Sequence, residues 1–421
     1  MKRNLILMCI VTLVSCSNHE DYTTVLQMPD SSPKEEIRTY EEALQVALSS
    51  MEMLESSDVT RSSSERRIDK SDSKIYMKTF VSRSSSDITN DTLMYVFNFA
   101  DNEGFAIVSA SKKTDALIAV TEKGHYMPGV PSGIDGFDEF MELAEKYVIR
   151  GSGAHLPTGP NDSIMSVNVI TEEIDTIVGP YITVCWGYSH PEGELCPNLI
   201  AGCTNIAMAQ VMSYYQYPSV LDITYPDADV TLQALDWTAI NSHGANHLKS
   251  NCPNLIIHKA ISRMIRQIGH LTNSSYASTT GTSTSLYSIP PAIAALGYCG
   301  GTITDYSDHY IRSQLNNNRL LLVTGCSSDG NGHTWNLDGY KYYLRVDYCY
   351  QSIGNGPWIL SEIITTEHHY NHFNWGYYGE NNGYYNSGVF NIALGIQYDG
   401  TTNEQTGNYS YDVHLINMCR N

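Results

Sequence analysis

The segment from Gly202 to Tyr215 places a cysteine at the start of a predicted helix. Helix-favouring residues follow Cys203, and Pro218 stops the helix from continuing. Unpaired backbone N–H groups and the positive end of the helix dipole stabilise a thiolate at such a position. Cys203 is therefore a candidate nucleophile, and its own N–H is a candidate donor to an oxyanion. A buried structural cysteine is the alternative interpretation.

Two segments further along the chain carry residues that could serve this nucleophile. His333 alternates with Trp335 and Leu337 on one face of a predicted strand, and Asn374 stands beside Trp375. An imidazole can take the thiol proton, and an amide with a neighbouring ring can orient the imidazole and screen it from water. The order Cys, His, Asn is similar to that of papain-type peptidases. A structural role for the histidine is the alternative.

The composition limits the classes of protein that could carry these residues. The chain has 421 residues, 42% of them hydrophobic and 17% charged, which allows a sizeable core and two or three domains. With 25 Lys and Arg against 45 Asp and Glu, the net charge of −20 disfavours nucleic acid as a partner. Residues 1–175 hold 16 of the 25 basic residues, whereas the remainder is rich in Tyr, Asn, Gly and Thr. The chain therefore divides into two parts near residue 175.

The first part has the periodicity of a small α+β unit over residues 37–150. It contains no cysteine and no catalytic constellation. Helices are predicted over 40–54 and 137–148, and strands over 75–81, 93–99, 104–109 and 116–121. Residues 151–175 begin with closely spaced Gly and Pro, which predicts an exposed linker and the region of a maturation cut. Residues 176–421 carry the candidate catalytic residues.

The N-terminus has the features of an export signal. Residues 1–15 combine a basic start with a short apolar stretch. Leu13, Ser15 and Cys16 resemble a bacterial lipobox, which implies cleavage before Cys16 and a lipid on that cysteine. An ordinary signal peptide is the alternative. Residues 16–36 are predicted to be a tether, and Ser17 with the acidic residues after it resembles outer-membrane or cell-surface lipoproteins; a periplasmic or released product is also open.

The lipid is the only membrane contact expected. No apolar run of 18 residues follows the N-terminus, so no internal membrane span is predicted. Export permits disulfides, but the pairing of the cysteines cannot be deduced from one sequence.

Several segments together resemble the streptopain family of papain-clan bacterial cysteine peptidases. Gly202 to Pro218 resembles the family's nucleophile helix, Gly332 to Gly339 its histidine strand, and Asn374 to Gly376 its Asn-Trp-Gly motif. Residues 95–98 and 104–109 are similar to its inhibitory pro-domain. The resemblance implies an α+β fold: a papain-like two-lobed cysteine peptidase domain, preceded by a small α+β pro-domain that folds separately and blocks the cleft.

The resemblance also implies an activity. The chain would be the zymogen of a cysteine endopeptidase that cleaves protein or peptide substrates through a thioester on Cys203. His333 would be the general base and acid, and Asn374 and Trp375 would support and screen its ring. The pro-domain would be an intramolecular inhibitor. No cofactor and no metal is implied.

Three further positions take roles only from the resemblance. Thr282 and Gly332 would line the substrate cleft. Tyr188 stands where the family usually has a glutamine that donates to the oxyanion. The phenol can also donate a hydrogen bond, so Tyr188 substitutes for that glutamine or the chemistry is impaired. A catalytically impaired surface binding protein is therefore the alternative function, and a transferase using the same thiol is a third.

The stretch from 341 to 370 is longer than is usual in the family. It is expected to form a loop near the rim of the cleft. Its histidines, His368 and His369, and the nearby His372 have no carboxylate or cysteine at a convincing ligand spacing, so we expect surface loop histidines rather than a metal site.

Overall fold

The computed structural model describes residues 37–55, 66–81, 88–151, 166–189, 191–245, 255–326, 332–352, 359–390 and 413–420. The predictions for the signal peptide, the tether and the lipidated Cys16 lie outside these residues. Among the helices in the described ranges, none is long and apolar enough to cross a membrane.

The first part of the chain is an α+β unit, as its periodicity predicts. Along the second strand, residues alternate between two apolar layers: Tyr95 and Phe97 pack under the first helix, and Met94 and Val96 pack toward the second helix. The elements are α1 (Tyr40–Glu55), β1 (Lys74–Val81), β2 (Ile88–Asn98), β3 (Phe105–Ser109), β4 (Leu117–Thr121) and α2 (Asp135–Gly151).

The second part forms a helical lobe and a β-rich lobe. Its helices are α3 (Cys203–Tyr215), α4 (Trp237–Ala245), α5 (Leu255–Leu271), α6 (Ile289–Ala295) and α7 (Asp308–Leu315). Its strands are β5 (Ser166–Val178), β6 (Val220–Asp222), β7 (Leu232–Ala234), β8 (Cys299–Asp305), β9 (Leu320–Cys326), β10 (Gly332–Ser352), β11 (Ile359–Asn374), β12 (Gly383–Asn386) and β13 (His414–Cys419). Buried side chains of α3, α5 and α6 share one core, represented by Met208, Ile265 and Ile293. A disulfide between Cys299 and Cys419 joins β8 to β13.

One sheet runs through both parts. Its order is β1-β2-β3-β4-β12-β11-β10-β9-β13-β8, with β5 also paired to β10. The junction lies between β4 and β12, where Tyr384 pairs with Val120. Across it, the α2 side chain Phe137 packs against Trp375 and Tyr385. The second part therefore covers both the edge strand and the apolar face of α2, and the separate folding of the first unit stays a prediction.

Two segments predicted as irregular are strands. Residues 166–175 of the predicted linker lie in β5, and residues 152–165 fall outside the described ranges. The stretch from 341 to 370 is not a loop, because its described residues belong to β10 and β11, and both strands extend beside β5 as a three-stranded arm. The physical reason is that β5 and β11 are rich in Val, Ile and Thr, while β10 alternates Leu344 and Val346 with charged residues, and both patterns favour strands despite the preceding Gly and Pro.

Candidate active site

The nucleophile candidate begins a buried helix. Cys203 is the first residue of α3, and Gly202 before it has φ of +87°. A Cβ at Gly202 would lie 3.0 Å from Thr282, so glycine permits both the turn and the close approach of Thr282 to the chain beside Cys203. This agrees with the predicted position of Cys203 and places Thr282 next to it.

Cys203 and His333 form a hydrogen-bonded pair. Burial alone would raise the pKa of the Cys203 thiol, but the hydrogen bond and charge of His333, together with backbone N–H groups of Thr334 and Thr204, lower the pKa below its ordinary value. Burial opposes the charge on His333 too, yet the contact with Cys203 and the nearby Asp135 raise the pKa of the imidazole. The two opposite shifts favour a thiolate and an imidazolium.

The far side of the imidazole is held by a carbonyl and a phenol. His333 is 4% exposed, and its Nε2 lies 3.3 Å from the carbonyl oxygen of Trp375 and 3.1 Å from the hydroxyl of Tyr188. The Tyr188 hydroxyl also donates to the Trp375 carbonyl at 3.1 Å. Since Nε2 is engaged by these oxygens, Nδ1 is the nitrogen available to exchange a proton with the thiol.

Asn374 does not orient the imidazole directly, so this part of its predicted role is wrong. Its Oδ1 accepts from the Gly376 N–H at 3.0 Å and from Gln210 Nε2 at 3.2 Å. Its Nδ2 donates to the Val184 carbonyl at 3.5 Å. These bonds fix the turn in which Trp375 presents its carbonyl to His333. Asn374 therefore supports the ring through the backbone of its neighbour.

Tyr188 lies near Cys203, but its hydroxyl is directed at the imidazole and a carbonyl and is not left free to donate to an oxyanion. Its hydroxyl contacts His333 and the Trp375 carbonyl, and burial raises the pKa of the phenol well above its ordinary value. The neutral phenol thus keeps its proton as a donor. Sequence reasoning found the position but expected a different contact.

The remaining predicted site residues are dispersed. Gly332 is exposed at the start of β10, next to His333, and pairs with Cys326. His368 contacts Asp115 at 3.0 Å, and His369 contacts Glu367 at 2.8 Å. Both histidines lie on β11 rather than on a surface loop.

Helix α2 reaches the site from the first part of the chain. A Cβ at Gly136 would lie 2.7 Å from Trp375 Cζ3 and still closer to His333 Cδ2, so the backbone of α2 packs directly on His333 and Trp375. Asp135 is close enough that its charge raises the pKa of His333. Sequence reasoning did not identify Asp135 and Gly136 as site residues, although a glycine in the first turn of a helix is a signal of close packing.

A second buried cluster shows that the expectation for His372 is wrong, because this histidine lies on β11 and is 2% exposed. His372 lies between Asp338, at 2.6 Å, and Glu122 of the first part, at 3.3 Å. Burial alone would lower the pKa of His372, but the two carboxylates raise it to about 10. The second oxygen of Asp338 accepts from the Ile182 N–H. This cluster links Glu122, just after β4, through His372 on β11 to Asp338 on β10, the strand that carries His333.

Comparison with known families agrees with this geometry. Residues 185–385 match the Peptidase C10 family, and residues 35–148 match the Spi protease inhibitor family. Residues 185–385 are a C10, or streptopain-family, cysteine peptidase domain, and residues 35–148 are an inhibitor-like pro-domain. The inhibitor match contains α2 up to residue 148, and the C10 match contains Cys203, His333 and Trp375. The recognised family, the enzyme class and the mixed α+β fold predicted from sequence are thereby confirmed.

Relatives of this C10 chain include "Thiol protease/hemagglutinin PrtT" of Porphyromonas gingivalis, 24% identical over 366 residues. The match covers 77% of this chain and 37% of that protein, so the chain spans little more than a third of its relative. A mutant fragment of prointerpain A from Prevotella intermedia has a similar fold, with a TM-score of 0.50 at 17% identity, covering 81% of this chain and 98% of the fragment. Active interpain A from the same organism gives 0.37 at 19% identity, covering 57% and 94%.

Proposed function

We propose that the chain is the zymogen of a cysteine endopeptidase that hydrolyses protein substrates. The observation that carries the proposal is the pairing of Cys203, at the N-terminus of a buried helix, with His333, which lowers the pKa of the thiol and raises that of the imidazole. This arrangement supplies an anionic sulfur nucleophile and an acid beside it. The family membership and the names of the relatives support the same activity.

The proposed reaction has two halves. In the first, the thiolate forms a bond to the substrate carbonyl carbon, His333 gives its proton to the amide nitrogen, and the C–N bond breaks to leave a thioester. In the second, neutral His333 takes a proton from water as the oxygen attacks the thioester. The C–S bond then breaks, the acid product leaves, and the ion pair is restored.

We further propose that the first part of the chain, the pro-domain, inhibits this reaction by covering the site. The packing of Gly136 on His333 and Trp375 supports this, because a substrate backbone would need the same space. The catalytic pair is assembled beneath the helix. Inhibition would therefore act by exclusion of substrate rather than by disassembly of the pair.

The test follows the mass of the purified chain over time, beside Cys203→Ala and the control Cys349→Ala, which removes a thiol on β10. We expect the wild-type chain and Cys349→Ala to shorten and Cys203→Ala to stay intact. If all three stay intact, the pro-domain is removed with an added protease and casein hydrolysis is measured. Continued inactivity there, with no faster labelling of Cys203 than of other thiols by a peptide epoxide, would contradict the proposal and favour a binding protein.

We also propose export and lipid anchoring through Cys16, with residence at the outer membrane or cell surface. The basic start, the short apolar stretch and the sequence from Leu13 to Cys16 support this. Incorporation of labelled palmitate and fractionation of cells that express the wild type or Cys16→Ala will test it. A wild-type chain without label, or an equal distribution of both chains in the soluble fraction, would contradict it.

A further inference from the structure

We infer that Tyr188 is a positioning residue that fixes the tautomer and orientation of His333, rather than a donor to the oxyanion. The inference rests on the proposed function and assigns this tyrosine a separate task within it. Its basis is a triangle of contacts among the Tyr188 hydroxyl, His333 Nε2 and the carbonyl oxygen of Trp375.

The directions of the hydrogen bonds in this triangle are set by chemistry. A carbonyl oxygen only accepts, so a bond between His333 Nε2 and the Trp375 carbonyl requires a proton on Nε2. The phenol has one proton, which it donates to the same carbonyl. Its oxygen is then left to accept from Nε2–H at 3.1 Å. Every member is satisfied only if the neutral imidazole carries its proton on Nε2.

This tautomer is the one that the proposed chemistry needs. With the proton on Nε2, the lone pair of Nδ1 is free to receive the thiol proton of Cys203. When His333 becomes an imidazolium, the two oxygens on its far side stabilise the positive charge. A second acceptor on Nε2 therefore favours the ion pair over the neutral pair.

The surroundings keep the tyrosine in place and neutral. Its ring packs edge-on against Tyr377, with 5.7 Å between centroids, and against Gly376. Besides His333, the titratable groups that face the phenol are Cys203 on α3, Asp135 on α2, and Tyr377 and Tyr378 after β11. The nearby acidic groups add to the effect of burial, so no neighbour among these draws the proton from the phenol.

The test separates the two roles by a reaction that builds no oxyanion. The rate of Cys203 alkylation by iodoacetamide, read by peptide mass spectrometry on the full chain from pH 4 to 10, reports the thiolate fraction. Positioning predicts that Tyr188→Phe raises the apparent pKa of Cys203 by about one unit, the size expected for one lost hydrogen bond to a charged group. Tyr188→Gln should show a similar rise. Tyr378→Phe, which loses a hydroxyl bonded to Ser189, should follow the wild type.

Each outcome decides between the readings. A Tyr188→Phe profile that overlays the wild type, with slower peptide hydrolysis, would overturn the inference and assign Tyr188 to the oxyanion. A wild-type Cys203 that titrates like an ordinary thiol would overturn the proposed function itself, and the inference with it. Nitrogen-15 spectra of His333 in Cys203→Ala give a check without any Tyr188 variant: we expect protonated Nε2 at neutral charge, and protonated Nδ1 would overturn the inference.

Discussion

Gly136 leaves no room for a side chain between α2 and the rings of His333 and Trp375. Replacing it with alanine would favour the helix by propensity but would force a methyl group against His333 and Trp375. Overpacking of this kind typically costs about 1–3 kcal/mol, which corresponds to roughly a five- to 150-fold weakening of the docked helix. We therefore expect Gly136→Ala to speed the labelling of Cys203 by a peptide epoxide in the uncut chain by about tenfold.

The matched control is Glu142→Ala, which removes an exposed side chain from the same helix. It should leave the labelling rate unchanged. Equal rates for Gly136→Ala and the wild type would mean that α2 does not hold peptides away from Cys203.

Individual residues also show which parts of this site could be predicted from the sequence. Cys203 and His333 were predicted because a helix start and an alternating strand are local patterns. The prediction that Asn374 contacts the imidazole is wrong. The contact is made instead by the carbonyl of Trp375, whose direction is set by the turn at Gly376. The covering of His333 by Gly136 joins residues 197 positions apart in sequence number, and nothing local to either one encodes it.

At the scale of elements, the first strand of the second part, β5, is paired along its whole length with β10. All thirteen of its residues pair with β10, from Ser166 with Ser352 to Val178 with Tyr340. A protease needs an unpaired, extended segment, and a strand fixed in a sheet does not offer one. We therefore expect no cut within 166–178 in the native chain, and a peptidase product that retains β5.

A glutamyl endopeptidase provides the measurement, because Glu172 and Glu173 lie inside β5. Native Cys203→Ala chain should resist cutting after these residues for hours, whereas the same chain in urea should be cut there. Rapid native cleavage at Glu172 or Glu173 would show that the pairing with β10 is not maintained in solution.

The elements of the first part were predictable because helical spacing indicates α1 and α2, and short apolar runs such as β3 and β4 indicate strands. The arm was mistaken for a loop, since its assignment relied on Gly and Pro upstream and on excess length rather than on the alternation within Tyr342, Leu344 and Val346. The junction of β4 with β12 could not be predicted at all. The sequence of an edge strand does not indicate which other strand will pair with it.

At the scale of the whole molecule, the pro-domain is an integral part of one sheet and one core. Both ends of β4 also carry carboxylates that meet histidines of β11: Asp115 contacts His368 at 3.0 Å, and Glu122 contacts His372 at 3.3 Å. Asp115 further accepts from Asn386 Nδ2 at 2.8 Å. A cut between the two parts should therefore leave a tight, non-covalent complex, and activation must include a separation step.

This complex should depend on pH through Asp115. Burial alone would raise the pKa of Asp115, but its bonds to His368 and Asn386 lower it below the ordinary value near 3.8. A lowered pKa in the complex means that the contribution of Asp115 to binding is present above about pH 4 and is lost as the pH falls through the shifted pKa. With Cys203→Ala to prevent digestion, the cut chain should elute as one species at pH 7 and separate more readily on acidification.

Asp115→Asn should weaken the cut complex about tenfold at pH 7, because His368 loses a charged partner, and should flatten the response to acid. Asp69→Asn is the matched control: Asp69 also has a lowered pKa, but its hydrogen bonds go to Ser71 within the pro-domain. Titration of the two variants by light scattering from pH 7 to 3 decides the matter. If Asp115→Asn and Asp69→Asn dissociate alike, the β4–β12 junction and the aromatic core hold the pro-domain without help from this ion pair.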